Sequence, residues 1–138
     1  MYMEDAYRSA FYEIVESTEA RTGYELPDHI KSYLVMLLSY QTDRPNFLPE
    51  TSFAEMFLTA STPKQRKELG DTCLFVSGVF PYIGEKHGIN RSYYSDMGIT
   101  SYEIVSDFWN PELFGSLARH FNFLSEFIEI AFQDSTPM

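Results

Sequence analysis

The sequence predicts an all-α fold, a single-domain bundle spanning residues 1–138 with about six or seven helices. Three observations carry that expectation. Apolar residues recur at steps of three and four through most of the chain, the period that gives a helix one buried face. No segment alternates apolar and polar residues between turn signals, so no strand is expected. Thr62-Pro63 and Asn110-Pro111 each pair a capping side chain with a proline, which loses nothing in a first helical turn.

The first helix places Met3, Tyr7, Ala10, Phe11, Ile14, Val15 and Thr18 on one side. Glu4, Arg8, Glu13, Glu16 and Glu19 take much of the other, and Gly23 is the expected stop. Pro27 opens the second helix, with Ile30, Tyr33, Leu34, Leu37 and Leu38 as its inner stripe. Val35 and Met36 add apolar surface on its other sides, which predicts broad coverage by neighbours. Asp43 to Thr51 holds two prolines and reads as a loop.

Ser52 and Glu55 have capping-box spacing ahead of a short third helix. Thr62 and Gln65 repeat that spacing ahead of a fourth, which carries Leu69, Cys73, Val76 and Val79 or Phe80 and stops at Phe80-Pro81. Tyr82 to His87 predicts one more turn closed by Gly88, and Asn90 caps a helix through Tyr93, Tyr94, Met97, Tyr102, Ile104 and Val105. From Asn110-Pro111 a single last helix is expected. Its polar stripe is Glu112, Ser116, Arg119, Asn122, Glu126, Glu129 and Gln133, and nearly everything else on it is apolar.

Composition bounds the function. The net charge of -10 repels phosphate backbones and anionic membrane surfaces, so neither nucleic acid nor membrane is an expected partner. A basic protein partner is electrostatically allowed. The longest apolar run, Tyr33 to Leu38, is far too short to span a bilayer. Cys73 is the sole cysteine, which excludes an intrachain disulfide and a cysteine metal cluster, and its apolar neighbours mark it as a small core residue. The first ten residues lack a basic region followed by an apolar one, so a cytoplasmic location without a secretory signal is expected.

His120 shares a helical face with Leu113, Leu117 and Leu124, where a buried imidazole would ligate, act as a base, or bond a tyrosine hydroxyl within the core. No second His or Cys stands at a metal spacing, so no metal or cofactor is expected. The sets Glu13/Glu16/Glu19 and Glu126/Glu129 lie on polar stripes without Glu-x-x-His and read as solvated faces. Nucleophile elbows and phosphate loops are absent, and no residues are assigned as catalytic. Asp71 directly precedes an apolar run. Its carboxylate would seek tyrosine hydroxyls, with Tyr93, Tyr94 and Tyr102 available, pair with Lys67 one turn earlier, or cap a helix that restarts at Thr72.

Gly70 to Tyr102 is the most specified stretch, dense in small residues, prolines and rings. Its pattern is Gly70-Asp71, Leu74, Ser77-Gly78, Phe80-Pro81, Tyr93-Tyr94, Met97-Gly98 and Tyr102. This pattern, about a quarter of the chain, resembles one from small bacterial proteins of unassigned function. The resemblance implies a bacterial, helical protein and transfers no site residues.

The leading functional expectation is a non-enzymatic protein that binds another protein or itself, with a homodimer as one form. Phe80, Tyr93 and Tyr94 would organise the fold. The second is a small-molecule binder with a pocket for an apolar or aromatic ligand near Asp71, Tyr93, Tyr94 and His120. The third is a hydrolase or lyase using Asp71 and a histidine.

Overall fold

The computed structural model of the chain describes residues 3–43, 53–81 and 91–135, with side chains for 6–43, 55–81 and 92–133. Those residues form seven helices and no strand. In chain order they are α1 (Met3–Thr22), α2 (Asp28–Asp43), α3 (Phe53–Thr59), α4 (Pro63–Val79), α5 (Arg91–Ser106), α6 (Pro111–Arg119) and α7 (Phe121–Ser135). The expected loop beyond Asp43, the Ser52 cap, the turn through His87, and the Gly88 and Asn90 signals lie outside the described residues.

α1 and α2 form an antiparallel hairpin around Gly23, whose φ of 79° is the left-handed value that a side chain resists. The hairpin is clamped by Glu19. Its carboxylate accepts the Leu26 N–H at 2.8 Å and meets Lys31 Nζ at 2.8 Å. Burial alone would raise the Glu19 carboxyl, but the bonds from Lys31 and Leu26 outweigh it and hold it below the usual range. Glu19 is therefore not the fully solvated acid that its stripe predicts. Glu19→Gln should lower stability by about 1 kcal/mol at neutral pH, because the partner is only partly buried. The folded carboxyl is lowered, so its contribution is complete above the ordinary carboxylate range. It is lost as pH falls through the lowered value. Urea denaturation should accordingly show the parent and the variant converging in acid.

α4 starts as its sequence predicts. Thr62 Oγ1 accepts the Gln65 N–H at 3.1 Å, and Gln65 Oε1 accepts the Thr62 N–H at 3.2 Å. Pro63 follows as the first residue. The helix ends at Phe80, whose N–H bonds to the Val76 carbonyl ahead of Pro81. Leu69 through Gly78 are all buried, so α4 is sheathed by the other helices.

α5 runs antiparallel to α4 at close range, because Gly70 and Gly98 leave room for larger neighbours. A Cβ on Gly70 would lie 2.8 Å from the Tyr102 ring, and one on Gly98 would lie 2.4 Å from the Phe121 ring and 3.1 Å from Cys73 Cβ. Against α7, a Cβ on Gly78 would lie 2.7 Å from Ile128 and 3.1 Å from the Ser125 carbonyl oxygen. Ser77 and Ser125 hydroxyls meet at 3.0 Å beside that contact. The small residues of the middle third thus set the helix spacing.

The expected last helix is two. α6 is capped by Asn110, whose side chain accepts the Leu113 N–H with Pro111 in the first turn, as predicted. The helix then stops at His120, whose N–H turns back to the Ser116 and Ala118 carbonyls, and α7 restarts at Phe121. No proline occupies this stretch, so the sequence carries no break signal.

Candidate functional site

Asp71 sits inside α4, not at a restart, and its carboxylate is the most heavily bonded buried acid among the described residues. Oδ1 accepts the Tyr33 hydroxyl at 2.6 Å and the Tyr102 hydroxyl at 2.7 Å. Oδ2 accepts Lys67 Nζ at 3.0 Å, the one-turn pair that the spacing predicted. Asp71 therefore joins α2, α4 and α5. All three partners donate, which is the pattern that suits an ionised carboxylate. Burial raises its carboxyl above the usual range, while the Lys67 charge and the two hydroxyls pull it back without cancelling the rise. The same burial, beside the Asp71 charge, pushes the Tyr33 and Tyr102 hydroxyls up, so both stay protonated donors.

Rings brace this cluster. Tyr33 meets Phe114 edge-on at 5.7 Å, and Tyr102 lies 6.0 Å from both Phe114 and Phe121. Lys67 Nζ stands 5.4 Å from the Tyr33 ring centroid, so the ring face shares its charge with Asp71. Gly70 lets Tyr102 lie flat enough against α4 to reach Asp71.

Tyr93 and Tyr94 occupy a different place. They pack edge-to-face on each other at 5.8 Å, Tyr94 buried and Tyr93 half-buried. The tyrosine that joins Tyr102 at Asp71 is Tyr33. The sequence marked Tyr33 as a core residue of α2, and its hydroxyl carried no signal of a partner 38 positions away. Phe80, expected to organise the fold, is 36% exposed and reaches Phe75 at 6.1 Å.

His120 is exposed, not in the core. Leu117 and Leu124 on the same stripe are buried, whereas the His120 side chain lies at the surface. It lines a hollow of about 320 Å³ between the start of α2 and the α6–α7 junction. Asp71 lines a separate hollow of about 300 Å³, with Arg8, Met36, Tyr40 and Lys64 at its walls. Neither hollow is lined by Tyr93 or Tyr94, so the four residues do not form one pocket. The bonds to Asp71 include neither His29 nor His120, both exposed, and His87 lies outside the described residues.

Cys73 is fully buried, and burial pushes its thiol up, which makes it inert in the way the sequence predicts. Among the described residues no group of three His, Cys, Asp or Glu could hold a metal ion, and no helix is long and apolar enough to cross a membrane.

One surface feature was not singled out by sequence. Phe108 is 65% exposed and Trp109 42% exposed at the turn between α5 and α6. Residues 92–118 contain Asp96, Glu103, Asp107 and Glu112 but no lysine or arginine, and these four acids are all exposed. No protein-family model, curated protein or solved structure matches this chain.

Proposed function

We propose that this chain is a non-enzymatic, cytoplasmic protein of bacterial type that binds a basic protein partner through the Phe108–Trp109 corner. The observation that carries the reading is the exposure of two adjacent large rings within an acidic segment. Aromatic residues, tryptophan above all, concentrate at the energetic centres of protein interfaces. The surrounding carboxylates would steer a positively charged partner and repel an acidic one. The engaged state of Asp71 supports a structural role over catalysis there, because the Tyr33 and Tyr102 hydroxyls tie α2 and α5 to α4 through it. Bacterial type rests on the sequence resemblance, and the cytoplasmic placement is carried over as the expectation drawn from the sequence.

Self-association, the other form of protein binding expected, would press two copies of charge -10 together at an acidic corner. Salt separates these cases by sign. Screening weakens attraction to a basic partner and relieves repulsion between identical copies. The test uses Trp109, the only tryptophan, as its probe. A lysine-rich amphipathic peptide should shift Trp109 emission to the blue, with affinity falling as salt rises from 50 to about 300 mM. Phe108→Ala should weaken binding about tenfold or more, in line with a loss of ~1–2 kcal/mol at an aromatic anchor. Unchanged emission across the titration, or association that salt strengthens, would remove the basic-partner reading.

A further inference from the structure

We infer that the hollow between the start of α2 and the α6–α7 junction is a binding site for a small neutral ring compound carrying a hydroxyl group. This goes beyond the protein-binding reading and uses a different face of the molecule. Leu26, Ile30 and Phe123 supply an apolar wall, and Glu25, Ser116 and His120 bring polar groups to the same hollow.

Size sets the first limit on the ligand. About 320 Å³ is at the lower end of small-molecule pockets, enough for a compact ring but too small for a haem or a long-chain lipid. Charge sets the second. Glu25 lines the hollow and the Arg119 guanidinium stands beside it on Ser116 Oγ, so an ion of either sign meets a like charge there, and the apolar wall penalises any unpaired ion. Hydrogen bonding sets the third. Arg119 Nη2 already donates to Ser116 Oγ at 3.1 Å, which leaves the serine hydroxyl hydrogen as a donor. Glu25 accepts, and a neutral imidazole at His120 can do either. A hydroxyl, which both donates and accepts, matches this set better than a carboxylate or an ammonium does.

Leu124 lines the same hollow as His120, and the bonds from the His120 N–H to the Ser116 carbonyl and from the Leu124 N–H to the His120 carbonyl hold this wall together across the junction.

Phenol is the probe, with benzoate and benzene as comparisons. Titration of the folded chain is followed by the NMR signal of the His120 imidazole, assigned from its loss in His120→Gln. Phenol should move that signal in a saturable way at millimolar concentration or below, and benzoate should bind at least about tenfold more weakly. His120→Gln, followed on the Phe123 ring signals, should weaken phenol about fivefold to tenfold. Ser116→Leu, which fills the hollow from a half-buried position, should abolish binding while circular dichroism confirms the fold. Trp109 emission reports the other face and should stay unchanged, so failure here and failure of the corner reading are told apart. The inference is overturned if phenol leaves the His120 and Phe123 signals in place, if benzoate binds as well as phenol, or if folded Ser116→Leu binds phenol like the parent.

Discussion

Gly98→Ala should lower the stability of the fold by about 2 kcal/mol, although alanine is the better helix former. In an open helix the exchange gains about 1 kcal/mol. Here the new Cβ would stand 2.4 Å from two carbons of the Phe121 ring and 3.1 Å from Cys73 Cβ. Phe121 is fully buried, so the ring cannot swing away without moving α7 or Tyr102. Overpacking of this kind costs about 1–3 kcal/mol or more, and it wins over the gain in helix propensity. The cause is checked in a Phe121→Leu background, where the shorter side chain leaves the space. There the Gly98→Ala penalty should shrink to less than about 1 kcal/mol, a coupling that a double-mutant cycle in urea reads directly. Gly23→Ala is the contrast. Nothing lies within 4 Å of its Cβ, and its cost comes from a φ of +79°. It should be unaffected by the Phe121 change.

Asp71→Leu has the second large effect expected, a loss of about 3–5 kcal/mol. Removing the carboxylate leaves the Tyr33 and Tyr102 hydroxyls buried without their acceptor, at ~1–3 kcal/mol each. Lys67 also loses its partner, but its side chain is 30% exposed and can turn to water. Asp71→Asn keeps an oxygen for both hydroxyls and should cost much less. Combining Asp71→Leu with Tyr33→Phe and Tyr102→Phe should restore most of the loss, because apolar replacement of every partner removes the stranded hydroxyls.

The pH dependence separates charge from shape at this position. The folded Asp71 carboxyl lies above its ordinary value, so the folded chain keeps that proton longer than the unfolded chain does. Stability from this group therefore falls as pH rises from about 4 through the raised value. Asparagine has no such component, so the deficit of Asp71→Asn should narrow as pH rises through that window. The Glu19 carboxyl is displaced in the opposite direction, and its variant deficit widens with pH. Denaturation of the two single variants at pH 4, 5.5 and 7 reads both signs.

Local sequence rules captured the helices because their determinants are local. The Thr62–Gln65 box, Asn110-Pro111, Gly23 and Phe80-Pro81 each act within one helical turn, and each stands where its spacing predicted. The Lys67–Asp71 pair was legible for the same reason, being one turn long. Tyr33 was not legible as an Asp71 partner, because no helical period links residues that meet only when α2 packs on α4. His120 misled because a shared helical stripe does not decide burial: Leu117 and Leu124 on it are covered and His120 is not. The exposed Phe108 and Trp109 were invisible for the opposite reason. Large rings are usually buried, and only the fold shows which of them are left outside.

Native-state hydrogen exchange offers the sharpest single check that α4 and α5, closed by glycine-to-ring contacts and by Asp71, form the keystone of the molecule. Amides of Leu69–Gly78 and Gly98–Val105 should exchange last, with an opening free energy equal to that of complete unfolding by urea. If those amides open well below that limit while the α1–α2 hairpin stays protected, the keystone lies elsewhere and Asp71 is freed for another role.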